Sequence, residues 1–257
     1  MTQTQGQARW EGRHAGKDAL RGRVWSLLES SGVAVGPAWS RIPNVVGADV
    51  AAHHLSMLPA WQAARVVKCN PDPPQIPVRL RALYAGKVVL TPVPELTEGF
   101  PFVRLVPEDL VRRGISFELA ATSQGAVAHG EPVGFEDMEP IDIAVVGCVA
   151  VARAGGRTGK GGGFADLELG IFRALGRVST TTPVVTTVHD LQVVEDAAIA
   201  MLGHDSPLDV IATPTGVIET RTAYPRPTGV DWDAVQPDQF AGIPFLADLA
   251  ARIRARG

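Results

Sequence analysis

The chain has 257 residues, 46% of them apolar and 20% charged, so it can bury a sizeable core and cannot be wholesale disordered. A net charge of −3 argues against a nucleic-acid binder living on counterion release. No apolar run reaches the ~18 residues of a membrane span, and Cys69 and Cys148 have neither a disulfide-framework nor a zinc spacing.

Residues 1–14 are polar and Gln-rich, and read as a disordered leader without the apolar stretch of a secretory signal. That leaves 15–257 as a single domain, expected in the cytoplasm with no membrane partner. Residues 17–29 form an amphipathic helix, with Leu20, Val24, Leu27 and Leu28 on one face. An Ala-rich helix over 48–57 carries His53 and His54 on adjacent positions, which do not share a face for a metal. A strand over 64–69 is halted by Pro71, Pro73 and Pro74, and is followed by a helix over 78–85 and a buried strand over 87–91. Residues 92–140 are the least legible, broken by repeated prolines. From 141 to 151 a near-continuous apolar run suits a central parallel strand. A glycine loop (155–163), a helix (164–175), a strand (183–188), a helix (193–202) and a strand (208–212) follow, then a terminal helix over 242–254. Apolar strands alternating with helices predict an α/β fold, a parallel-rich sheet covered by helices on both faces.

The glycine loop is the segment most charged with chemistry. Gly155, Gly156, Gly159, Gly161, Gly162 and Gly163 surround Arg157 and Lys160. In open α/β sheets ligands bind beyond the carboxyl ends of strands, where this loop lies. Glycines let backbone N–H groups approach an anion, the following helix adds its positive end, and two cations add full charge. The spacing is not that of a P-loop, because Ala154 and Gly161 stand where Gly and Ser or Thr are needed. A flexible solvent loop is the bland alternative; the position after a buried strand, with Asp166 following, favours a phosphate site. His189 and Asp190 end a strand, where a hydrogen-bonded structural histidine is the first reading and a general acid the second.

The run from Gly155 through Arg157, Gly159, Lys160, Gly161, Gly163 and Phe164 to Asp166 resembles the signature loop of the 5-formyltetrahydrofolate cyclo-ligases. Lys17, Leu20 and Arg21 resemble that family's N-terminal block, and the run from His204 through Asp209 to Pro214 its C-terminal one. Arg41 to Asn44, Asn70 to Asp72, Ala121 to Gly125 and Pro183 to Asp190 are similar to the methenyltetrahydrofolate synthetase domain-containing branch. The resemblance implies a ribose-isomerase/CoA-transferase-like three-layer sandwich and ATP- and Mg²⁺-dependent closure of 5-formyltetrahydrofolate to 5,10-methenyltetrahydrofolate through phosphorylation of the formyl oxygen.

Carried over residue by residue, it implies that Lys17, Arg21, Gly155, Arg157, Gly159, Lys160, Gly161, Gly163 and Phe164 bind ATP, with Arg157 and Lys160 catalytic. Asp72, Gln75, Gly162 and Phe164 would bind substrate, and Asp166 and Asp209 the metal. The chain departs from the family pattern at Phe164 and Ala165, which replace two tyrosines, and at Gln75, which replaces a pterin-binding carboxylate. An amide offers one donor and one acceptor where a carboxylate accepts twice. Two alternatives therefore stay open: a paralogue that keeps the ATP site but takes another heterocycle, such as a thiamin-related one, and a non-catalytic nucleotide- or RNA-binding scaffold. The expected cleft lies between the N-terminal helix, the 70–75 loop, the 155–166 loop and the 205–209 turn.

Overall fold

The computed structural model describes residues 10–255. Helices α1 (Ala15–Ser30), α2 (Ala48–Ser56) and α3 (Pro59–Ala63) precede strand β1 (Val66–Cys69). Helix α4 (Ile76–Tyr84), strands β2 (Val88–Pro92) and β3 (Phe102–Leu105), helices α5 (Pro107–Arg112), α6 (Phe117–Ala120) and α7 (Ser123–His129), and strand β4 (Glu131–Val133) follow. Then come β5 (Ile143–Val145), β6 (Ala150–Ala152), β7 (Arg157–Thr158), α8 (Phe164–Ala174), β8 (Val184–Thr187), β9 (Val193–Val194), β10 (Val210–Thr213) and β11 (Gly216–Glu219). Helices α9 (Pro237–Gly242) and α10 (Leu246–Arg254) complete the order.

The main sheet has eight strands in the order β11-β10-β8-β5-β1-β2-β3-β4. Its five central strands are parallel, and β11, β3 and β4 join antiparallel at the edges. Alternation along the strands sorts side chains onto two faces. Val67, Cys69, Val89, Ile143, Val145, Val185 and Ala212 pack on one side with Leu55, Trp61, Val78 and Leu83 from α2 to α4. Leu90, Phe102, Ala144, Val184 and Ile211 face the other way, toward Leu169, Ile171 and Phe172 of α8 and Leu246 and Leu249 of α10. The predicted parallel-rich sheet covered on both faces is therefore what forms. A smaller sheet, ordered β7-β6-β9, packs beside it against the Leu20, Val24, Trp25 and Leu28 face of α1.

Four expectations need correction. The apolar run 141–151 is not one strand: β5 pairs with β1 and β8 in the main sheet, whereas β6 belongs to the small sheet. The glycine loop is not all loop, since Arg157 and Thr158 pair back onto β6. The helix expected over 193–202 is instead β9, parallel to β6, and a 3-10 turn at Asp196–Ala198. Of the expected leader, residues 1–9 lie outside the described residues, while the stretch from Trp10 is packed against the glycine loop: Trp10 meets the Phe164 ring edge-on, with ring centroids 5.5 Å apart.

Candidate functional site

Where the chain leaves β7 and enters α8, it borders a cleft of about 280 Å³. The four segments expected around it do meet there. Helix α1 contributes Lys17 and Arg21, the loop after β1 Asn70 and Asp72, the glycine loop residues 157–163, and the loop before β10 His204 and Asp205. A fifth wall, including Val230, Asp231, Gln236 and Gln239, has no local sequence signal.

Each cation is already paired. Lys17 and Arg21, one turn apart on α1, are both buried; Lys17 is ion-paired with Asp205, and Arg21 with Asp18. Arg21 also donates to Thr158 Oγ1 at 2.9 Å. Arg157, buried, donates through Nε to the Ser206 carbonyl at 2.8 Å and is ion-paired with Asp166. Asp166 in turn accepts from the Ser206 amide at 2.8 Å, so this ion pair ties the glycine loop to the 204–206 turn. Burial would lower the Arg157 pKa, but the facing carboxylates, Asp166 foremost, hold it above its ordinary value. Lys160 is held most loosely, with Nζ 3.9 Å from Asp72 Oδ1 and 28% of its side chain exposed.

Burial pushes the Asp72 carboxyl up from its ordinary value, against the pull of Lys160, Arg79 and Lys68. The loop that carries Asp72 is fixed from behind by the fully buried Arg79, which donates to Pro71 O at 3.2 Å and Ala121 O at 2.7 Å and also reaches Asn70 O. Beneath it, Lys68 Nζ lies 2.7 Å from Glu168 Oε2 and donates to Asn70 Oδ1 at 2.7 Å. Gly147 is the close-approach position of this wall: a Cβ there would come within 3.0 Å of Asp72 Oδ2 and 3.1 Å of Ile42.

The glycine loop offers main-chain donors. Among the described residues, the amides of 159–163 make no intramolecular hydrogen bond. They precede the eleven-residue helix α8, whose positive end adds to them. Phe164 at the start of α8 adds an apolar wall, with Ile42, Leu202 and Val230 also lining the cleft.

Three expected site residues lie elsewhere. Gly155 does not line the cleft; its left-handed backbone (φ +93°) is pressed against the Leu208 carbonyl and Thr222. Gln75 is fully buried outside the cleft, 3.5 Å from Thr187 Oγ1. Asp209 does not line the cleft; it is ion-paired with Arg226 and accepts from the Val184 amide at 2.8 Å. Among the described residues no group of three or more His, Cys, Asp or Glu could hold a metal. The structural reading fits His189, whose Nδ1 accepts from the Leu191 amide at 3.1 Å, and His54, whose Nδ1 lies 2.8 Å from the Thr213 carbonyl oxygen. Both cysteines are buried thiols, and burial pushes Cys69 up to about 11.

A family model described as the 5-formyltetrahydrofolate cyclo-ligase family matches residues 13–214. A methenyltetrahydrofolate synthase domain-containing protein of Mus musculus is 41% identical over 248 residues, covering 94% of this chain and 65% of the relative. The protein of that description in Homo sapiens is 37% identical, covering 94% and 63%. The chain thus spans a little under two thirds of the length of these relatives. The NMR structure of Aquifex aeolicus 5,10-methenyltetrahydrofolate synthetase shares the fold, with a TM-score of 0.51 at 19% identity over 83% of this chain and 95% of that one.

Proposed function

The chain belongs to the 5-formyltetrahydrofolate cyclo-ligase family, and on that premise we propose that it closes 5-formyltetrahydrofolate to 5,10-methenyltetrahydrofolate in an ATP- and Mg²⁺-dependent reaction that releases ADP and phosphate. The observation that carries this reading is that Lys17, Arg21, Arg157 and Lys160 border one cleft with the amides of 159–163, which among the described residues make no intramolecular hydrogen bond. Such a cradle suits a polyphosphate: four cations can turn to its oxygens as their carboxylates give way, and glycine backbone can approach it closely. When bound, Mg·ATP supplies the phosphoryl group that turns the formyl oxygen into a leaving group.

The protein's part is positioning and charge stabilisation. Lys17 and Arg21 would hold phosphate oxygens from the α1 side, and Arg157 and Lys160 from the loop side. Each must loosen its carboxylate to do so, and Lys160 has least to give up at 3.9 Å. Asp166 is the acid bordering the cleft that would meet the metal, which usually takes one or two protein carboxylates and otherwise water and phosphate. Asp209 is not part of this assignment. Asp72, which borders the same cleft, would accept from N–H groups of the heterocycle, and Phe164 would line its apolar side. As part of the same proposal the reaction is placed in the cytoplasm. Among the described residues no helix is long and apolar enough to cross a membrane.

The test is purified protein with Mg-ATP and 5-formyltetrahydrofolate, followed by methenyl absorbance and ADP release, with ATP binding measured by calorimetry. Turnover supports the full reading. ATP binding without methenyl formation overturns the folate substrate and leaves the nucleotide site; absence of both overturns the reading.

A further inference from the structure

The first described residues and helix α9 meet on the glycine loop. Arg13 Nη1 donates to the carbonyls of Gly161 (3.3 Å) and Gly162 (2.9 Å), and its other terminal nitrogen is ion-paired with Asp238. Gln239, only 5% exposed, donates from Nε2 to the Gly162 carbonyl at 3.0 Å. Its Oε1 is taken up by the Gln236 amide at 2.9 Å, which fixes which way the side-chain amide faces. Gly161 itself has φ +110°, and a Cβ there would come within 2.8 Å of Trp10 Cβ, so the stretch carrying Arg13 lies directly on the loop.

A peptide unit is planar, with its C=O and N–H on opposite sides. Binding the Gly161 and Gly162 carbonyls therefore turns the amides of Gly162 and Gly163 away from Arg13 and Gln239. Those amides donate to no group among the described residues, and both glycines border the cleft. We infer that Arg13 and Gln239 are positioning residues of the anion cradle: they fix the two loop peptides so that their N–H groups are presented to a phosphate. Gln239 lies beyond the matched stretch 13–214, so the segment after it becomes a working part of the site. The inference rests on the polyphosphate reading given above.

Gln239→Leu removes the donor at similar size, Gln239→Glu sets a carboxylate against the Gly162 carbonyl, and Arg13→Gln removes the double contact. Mg-ATP and inorganic tripolyphosphate are titrated calorimetrically into the full chain and each variant, beside thermal melts without ligand. Losing a preorganising hydrogen bond should weaken both ligands about tenfold, with Gln239→Glu the weakest binder and 5-formyltetrahydrofolate affinity unchanged. Variants that bind both anions as the parent does, or that lose only thermal stability, overturn the inference while sparing the nucleotide site. Should Gln239→Leu fail to fold, Gln239→Glu and Arg13→Gln decide by the same comparison. A parent chain that binds neither anion overturns the polyphosphate reading, and the inference with it.

Discussion

Gly155 and Gly161 belong to the same glycine-rich run, yet they answer to different constraints. At Gly155 an added Cβ would lie 2.7 Å from the Leu208 carbonyl oxygen and 2.8 Å from Thr222 Cβ, in a backbone region side chains rarely adopt. Gly155→Ala is expected to destabilise the fold by about 1–3 kcal/mol, read as a lower urea midpoint, with Mg-ATP affinity unchanged. Lys160 gives the opposite pattern. Its 3.9 Å pairing and partial exposure make it worth little to stability, so Lys160→Ala should leave the melting midpoint alone while weakening Mg-ATP binding by roughly 10- to 100-fold. Calorimetry on the two variants separates the scaffold glycine from the binding lysine; a silent Lys160→Ala would retire the phosphate reading of the loop. The sequence shows both residues inside one motif and cannot sort them, because what differs is their neighbours. Asp209 shows the same dependence on neighbours: the motif carries the carboxylate, and only the fold shows that Arg226 is paired with it outside the cleft.

Among the elements, β1 and α8 are joined by a charge where the pattern calls for an apolar contact. Lys68 occupies the face of β1 opposite Val67 and Cys69, and meets Glu168 of α8 with both side chains essentially buried. Burial lifts the Glu168 carboxyl above its ordinary value; Lys68 opposes this, and Asp72 and Asp166 add to it. Between the unfolded and folded values the native state binds the extra proton, so Glu168's contribution to stability falls as pH rises through that window. Glu168→Gln should flatten that part of the stability–pH curve. Glu168→Leu, which removes the acceptor group facing Lys68, should cost about 3–5 kcal/mol, and adding Lys68→Met should recover most of the loss. Urea denaturation across pH checks all three; a parallel shift of the Glu168→Gln curve would show the pair does not set the slope. Periodicity found the helices and parallel strands whose partners are regular, but not where one apolar run divides. Residues 146–149 stay buried as the chain crosses from β5 to β6, so hydrophobicity carries no break there. Over 193–202 helix-compatible spacing yields to pairing with β6.

At the level of the whole molecule, local patterns find the terminal helix but not where the terminal segments dock. The parallel sheet was legible because each strand announces itself within a dozen residues, and four of the cleft's five walls followed from the family resemblance of their segments. The closure by Arg13 and Gln239, and the packing of α10, depend on contacts across the length of the chain. Ile243, Leu246 and Leu249 are buried in the cluster with Phe172 and Val184, and Phe245 meets the Phe135 ring with centroids 6.1 Å apart. We propose on this basis that 15–257 acts as one domain. A chain ending at residue 214, where the family match stops, would uncover that face of the sheet. Each of those three side chains contributes about 1.5–3 kcal/mol by burial, against a typical domain stability of about 5–15 kcal/mol. The shortened chain should therefore lose its cooperative thermal transition and its near-ultraviolet circular dichroism, and bind a hydrophobic dye. Leu249→Ala in the full chain, a smaller lesion in the same place, should cost about 2–5 kcal/mol while keeping a single transition. A shortened chain that melts cooperatively near the parent midpoint would make the last segment an appendage and divide the domain at residue 214.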